Sequence, residues 1–167
     1  AMGVYGSYKG ATELMAMGHI NRRPRLLCAQ QECCSPMVRA FHDGCDAIQP
    51  HHIVRHPDGI AEAILRGDPT KVYPIIRQIV VESRGSFVSV SETEIREARK
   101  MVEELEGISP CFSALTAVAG LIKQVRLGTF PKNETVLINL TGRDRSRTEP
   151  GPNFRWLRRT TSGWVEE

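Results

Sequence analysis

An α/β fold, a partial three-layer parallel sheet with flanking helices, follows from three features of the sequence. Short apolar runs alternate with segments of helical periodicity. The three best runs, Leu26-Leu27-Cys28-Ala29, Phe87-Val88-Ser89-Val90 and Thr135 to Leu140, are nearly continuous in apolar character, as inner parallel strands are. Helical segments lie between them, so right-handed crossovers are expected rather than hairpins.

The elements follow in chain order. Tyr8, Ala11, Leu14, Met15 and Met17 recur at near-helical spacing, and Gly18 supplies a stop. Arg22-Arg23-Pro24 connects this helix to the first strand. Pro36 to Phe41 suits a short helix with proline in its first turn. Residues 42–57, with four histidines, Gly44, Pro50 and Pro57, read as loop. Asp58 caps an expected helix to about Arg66, striped by Ile60, Ala61, Ile64 and Leu65. Thr70 caps the next, to about Ser83, with Pro74 near its start. Ser91 and Glu94 form a capping box for a helix to about Glu106, ended by Gly107. Cys111 to Leu127 is apolar on most sides and rich in small residues, which predicts a buried helix close to the sheet. The last 25 residues have no period and predict an irregular basic tail, with Phe154, Trp156 and Trp164 as candidate anchors.

Composition narrows the function. The 167 residues hold 22 basic and 19 acidic side chains, a net charge of +3. Up to Gly142 the balance is 16 against 15, so no strong field points to nucleic acid or to a membrane surface. No apolar run is long enough to cross a bilayer. Five cysteines, an odd number, argue against a disulfide scaffold. With no basic region followed by an apolar stretch at the start, a cytoplasmic location is expected.

A series of stretches then carries a family resemblance. In order they are Gly6-Ser7-Tyr8-Lys9-Gly10, Arg23-Pro24-Arg25-Leu26-Leu27-Cys28-Ala29-Gln30, Ala63-Ile64-Leu65-Arg66-Gly67-Asp68-Pro69, Gly107-Ile108-Ser109-Pro110-Cys111-Phe112-Ser113-Ala114 and Val136-Leu137-Ile138-Asn139-Leu140-Thr141-Gly142. Together they resemble the C-terminal part of threonine synthase and its relatives among the fold-type-II pyridoxal-phosphate enzymes, the superfamily of the tryptophan synthase β subunit. The resemblance covers roughly residues 3–142. It implies a division into residues 1–142, a partial cofactor-binding α/β domain lacking its N-terminal half, and the tail, 143–167.

The resemblance implies site residues as well. Gly3 and Gly6 match the last members of a glycine loop that cradles the cofactor phosphate with backbone N–H groups. Thr141, followed by Gly142, matches the Ser or Thr whose hydroxyl meets the pyridine nitrogen. Ser109 and Pro110 match a wall of the substrate pocket. The family's Schiff-base lysine lies in its N-terminal half. The five lysines here, Lys9, Lys71, Lys100, Lys123 and Lys132, stand outside that context, so no catalytic residue is assigned and the chain alone is expected to be inactive. The implied cofactor of the complete protein is pyridoxal 5′-phosphate.

The implied reaction is elimination–replacement on a phosphorylated hydroxy-amino acid, in amino-acid biosynthesis. The alternatives are a β-replacement enzyme of the cysteate or cysteine synthase kind, or a non-catalytic partner module. The implied partners are a small amino-acid substrate, the missing N-terminal half or a second subunit, and further copies of the chain. After Gly142 the sequence runs Arg143-Asp144-Arg145-Ser146-Arg147, where the family usually continues with His-Gly and a Lys-Asp pair.

Two other groups carry weaker signals. His42, His51, His52 and His56, with Cys33, Cys34 and Cys45 nearby, lack the paired spacing of a structural zinc site and read as a polar loop, with no metal ligand assigned. Cys111 opens the buried helix, where small neighbours favour packing over nucleophilic chemistry.

Overall fold

The computed structural model describes residues 2–131, 133–145, 155 and 157–166. Five α-helices and two pairs of strands make up its regular structure: α1 (Met2–Ala16), β1 (Leu27–Gln31), α2 (Pro36–His42), α3 (Tyr73–Glu82), β2 (Ser86–Val90), α4 (Glu92–Glu106), α5 (Phe112–Arg126), β3 (Leu157–Thr160) and β4 (Gly163–Glu166).

β1 and β2 pair in parallel, Leu27 opposite Ser86 through Gln31 opposite Val90. Side chains alternate across this ribbon. Cys28 and Phe87 face one way, into a cluster with Met37, Val38, Tyr73, Ile76 and Val80 from α2 and α3. Val90 faces the other way, with Ile95, Ala98, Val102, Leu115, Val118 and Ala119 from α4 and α5. The arrangement is three layers, helix–sheet–helix. α5 lies close because Gly120 meets the sheet: a Cβ there would stand 3.0 Å from Val88 Cγ1 and 3.1 Å from Ala29 Cβ.

Several boundaries follow from local chemistry. Gln30 Oε1 accepts from the N–H groups of Met37 and Val38, capping α2 from the neighbouring strand. Ser91 and Glu94 complete the capping box of α4, and Gly107 ends that helix in the left-handed region at φ 65°. Pro74 falls in the first turn of α3, where a missing N–H costs nothing.

Four expectations are corrected. The helix over 58–66 shrinks to a 3-10 turn at Glu62–Ile64. Other elements claim its backbone donors: Ala61 N–H donates to Gln31 Oε1 at 2.9 Å, and Ala63 N–H to Ser113 Oγ at 3.2 Å. Thr70 does not cap α3. Its N–H and hydroxyl both donate to Asp68, and Val72 takes the cap position.

Residues 135–140 form no strand. Val136, Leu137 and Leu140 are exposed, Leu137 at 85%, while Ile138 packs on the α4–α5 cluster. An apolar run becomes a strand only by pairing with another, and this run pairs with neither β1 nor β2. In the tail, β3 and β4 form an antiparallel hairpin, Leu157 opposite Glu166, where irregular chain was expected. Trp164 is largely exposed and anchors nothing, and Phe154 and Trp156 lie outside the described residues. Among the described residues no helix is long and apolar enough to cross a membrane.

Candidate functional site

The site builds up around the N-terminus of α5. Ser109 and Pro110 lead into it, and Cys111 takes the cap position with an extended backbone. The segment after residue 140 returns to run antiparallel beside this lead-in. Cys111 N–H donates to Gly142 O at 2.9 Å, Asp144 N–H donates to Ser109 O at 2.9 Å, and Pro110 bridges Arg143. The approach is close: a Cβ at Gly142 would fall 2.4 Å from Cys111 Sγ and would turn that thiol aside. Ser109, Pro110, Thr141 and Gly142 therefore share one strip of the surface.

A charged network holds the strip from below. Arg99 of α4 donates from Nε to Glu103 Oε1 at 2.9 Å and from Nη2 to Asp144 Oδ2. Ser109 Oγ donates to the same Glu103 oxygen at 2.8 Å. The guanidinium lies over the Phe112 ring, 4.9 Å from its centroid. The Glu103 carboxylate, followed by that of Asp144, raises the Arg99 pKa above its ordinary value. Sequence reasoning missed Arg99, Glu103 and Asp144. The i,i+4 spacing of Arg99 and Glu103 was visible, but it is common on exposed helices, and nothing local pairs Arg99 with Asp144.

Gly3 and Gly6 lie elsewhere. Both fall within α1, which packs chiefly against α3. Tyr8 of α1 donates to Glu82, and Arg23 donates to Tyr8. The residues matched to a glycine loop are thus the first turns of a helix, and a Cβ at either glycine would meet nothing within 4 Å. Among the described residues no hydrogen bond or ion pair joins α1 to the Ser109–Asp144 strip.

Among the described residues no hydrogen bond or ion pair joins a lysine to the strip, and Lys100 of α4 is exposed beside Glu104. Lys9 pairs with Glu13 along α1. Lys123 of α5 reaches over the C-terminal ends of β1 and β2, donating to Ser89 O at 2.9 Å and lying 3.3 Å from Glu94 and 3.7 Å from Glu32. Its ammonium is thus committed to three oxygens at the sheet end.

The histidine loop is a hydrogen-bonded knot. His52 is 1% exposed; its Nδ1 accepts from Gln49 N–H at 3.0 Å, so Nε2 carries the proton and donates to Asp43 at 2.9 Å. His51 Nε2 lies 3.7 Å from the same carboxylate oxygen. The hydrogen bond from His52 is the main cause that lowers the Asp43 pKa. The ligand atoms of these three residues lie within 4.8 Å of one another. A metal on His52 Nε2 would need the proton moved to Nδ1, against the Gln49 N–H, and that conflict of donors disfavours coordination. Burial pushes the Cys28 thiol up to about 12, which leaves it inert.

Polar groups open to a ligand stand at two separate places. Among the described residues nothing hydrogen-bonds the Thr141 hydroxyl, which is exposed beside Gly142. The first turn of α1 has backbone N–H groups without helical partners. Residues 2–142 match the family described as pyridoxal-phosphate dependent enzyme. The chain is 36% identical over 138 residues to the threonine synthase of Methanosarcina acetivorans, 81% of this chain and 32% of that protein. It is 31% identical over 146 residues to the cysteate synthase of Methanospirillum hungatei JF-1, 84% of this chain and 35% of that protein. The chain therefore spans about a third of the length of these curated relatives. The crystal structure of a T.th. threonine deaminase is similar in fold, with a TM-score of 0.51 and 17% identity over 72% of this chain and 40% of that one.

Proposed function

Because the chain belongs to the pyridoxal-phosphate dependent enzyme family, we propose that it forms the C-terminal part of a threonine-synthase-like lyase or synthase acting on a phosphorylated hydroxy-amino acid. The observation that carries this reading is the junction of Ser109-Pro110 with Thr141-Gly142 in one strip, with the Thr141 hydroxyl unpaired among the described residues. When bound, pyridoxal 5′-phosphate supplies an electron sink for a carbanion at the substrate's α-carbon. Thr141 would offer its hydroxyl to the pyridine nitrogen. Being neutral, it leaves that nitrogen largely unprotonated and moderates the sink. Ser109 and Pro110 would form a wall that orients substrate and excludes water. Gly3, in the first turn of α1, would let an anion approach the free N–H groups there, with Gly6 one turn further along.

The similarity to the cysteate synthase favours a second reading, β-replacement on a related substrate. The site beyond Gly142 is where the two would differ, since substrate recognition falls to residues beside the ring. The proposed partners are an amino-acid substrate, the N-terminal half of the same fold and further copies of the chain. Exposed Met2, Met17 and Leu137 support the need for a covering surface.

The family's Schiff-base lysine lies in the N-terminal half and has no match among the five lysines of this chain, so the chain alone is proposed to be inactive. The test is to add pyridoxal 5′-phosphate and follow absorbance in the aldimine band, about 410–430 nm for this cofactor class, then trap imines with borohydride and map peptides. Sub-stoichiometric labelling scattered over surface lysines is expected. A stoichiometric adduct at one lysine, with elimination from a phosphorylated amino acid, would overturn the reading.

A further inference from the structure

Thr141 stands on a segment with little packing of its own. The run before it is exposed at Val136, Leu137 and Leu140. Beyond Thr141 the backbone is held at two points: Gly142 O accepts from Cys111 N–H and Asp144 N–H donates to Ser109 O, the pair of bonds that sets Arg143 opposite Pro110. Two backbone hydrogen bonds on the surface hold a segment only loosely, since each contributes about 1 kcal/mol net. The Asp144 carboxylate adds a charged bond from Arg99, and both side chains are only 15% exposed. Such a pair is shielded from salt and stronger than a neutral bond. Arg99 is itself fixed by Glu103 and by the face of Phe112, and Glu103 also holds Ser109. One guanidinium thus ties α4, the lead-in to α5 and the returning segment together.

We propose that Arg99 and Asp144 form an ionic clasp that positions Thr141, and that this clasp sets the geometry between its hydroxyl and the ring of the cofactor. Neither residue touches the ring, so both are positioning residues. The proposal rests on the reading of Thr141 given above. It also gives a role to the residues after Gly142, where the sequence departs from the pattern it otherwise resembles: Asp144 supplies an anchor carboxylate directed at Arg99.

The experiment uses the full chain with two readouts by NMR. Amide exchange at Cys111 and Asp144 reports the clasp, with Val118 in the middle of α5 as the folding control. The shift of the Thr141 methyl on titration with pyridoxine 5′-phosphate, which cannot form an imine, reports the seat. In Asp144→Asn, exchange at Cys111 and Asp144 is expected to rise about tenfold, the scale of a lost charged hydrogen bond, while Val118 stays protected. The Thr141 response should weaken in step. Asp144→Glu, which keeps the charge, should recover both; a merely structural role for the side chain's size would not order the variants in this way. Arg99→Gln should reproduce Asp144→Asn. Unchanged exchange in both charge-removing variants overturns the clasp. Faster exchange with an unaltered Thr141 response overturns the positioning role. A wild-type Thr141 that never responds to the probe overturns the reading of that residue, and the positioning role with it, while exchange still reports the clasp.

Discussion

Gly85 and Gly10 submit the packing to one test with opposite signs. At Gly85 a Cβ would stand 2.0 Å from Leu26 O, 2.9 Å from Leu26 C and 2.9 Å from Ser83 Oγ. Ordinary contact begins near 3.4 Å, so the two chains must part by about 1.4 Å. Leu26 O accepts from Ser86 N–H at 3.0 Å, and Leu26 N–H donates to Ser83 Oγ at 3.2 Å. An opening of that size sacrifices at least one of these bonds, about 0.5–1.5 kcal/mol, and adds overpacking strain of about 1–3 kcal/mol. The stiffer unfolded chain returns about 0.4–1 kcal/mol. Gly85→Ala is therefore expected to destabilise by about 0.5–4 kcal/mol. At Gly10, inside α1, a Cβ meets nothing within 4 Å, and Gly10→Ala is expected to stabilise by about 1 kcal/mol from helix propensity alone. Urea unfolding of both variants, with m-values equal to wild type, gives the measurement. A Gly85→Ala midpoint at or above wild type would refute the close approach of Leu26 to Gly85. A drop for Gly10→Ala would refute the helix around residue 10.

Two further outcomes are expected. Leu115 is fully buried in the α4–α5 cluster, so Leu115→Ala should cost about 2–5 kcal/mol in the same urea assay, and a loss below about 1 kcal/mol would contradict that packing. Burial pushes the Glu94 carboxyl up, but the Ser91 N–H and Lys123 together outweigh it and lower its pKa below the ordinary 4.5. Its contribution to stability is thus present above that ordinary value and fades as the pH falls through the depressed folded one; Glu94→Gln should flatten this acid limb in pH-dependent melting, and an unaltered limb would count against the Lys123–Glu94 contact.

The parts of the fold that were legible in the sequence are those set by local chemistry. The capping box at Ser91 and Glu94, the stop at Gly107 and the apolar runs at 26–29 and 87–90, which mark β1 and β2, each carry their signal within a few residues. The helix expected over 58–66 failed because Gln31 and Ser113, distant in sequence, take its backbone donors. Thr135 to Leu140 has the composition of an inner strand, but composition does not provide the neighbour that a strand needs. At the candidate site, Thr141 and Ser109-Pro110 were reached by resemblance, and their adjacency came only with the structure. The Arg99–Asp144 pair joins residues from two elements with no shared motif, and no reading of spacing would have connected them.

The parallel pairing of β1 with β2 has a consequence for how the chain folds. Every residue from 32 to 85 lies within the crossover between the two strands. The entropy of closing that long loop is lost before the first ladder bond forms, whereas α4 and α5 are near neighbours in sequence and meet through a short connection. The helical hairpin is thus the local unit of the fold, and the two-stranded sheet, the element that gives the architecture its class, is the topologically remote one. Its assembly relies on the α2–α3 crossover arriving on one face while the Gly120 face of α5 closes the other.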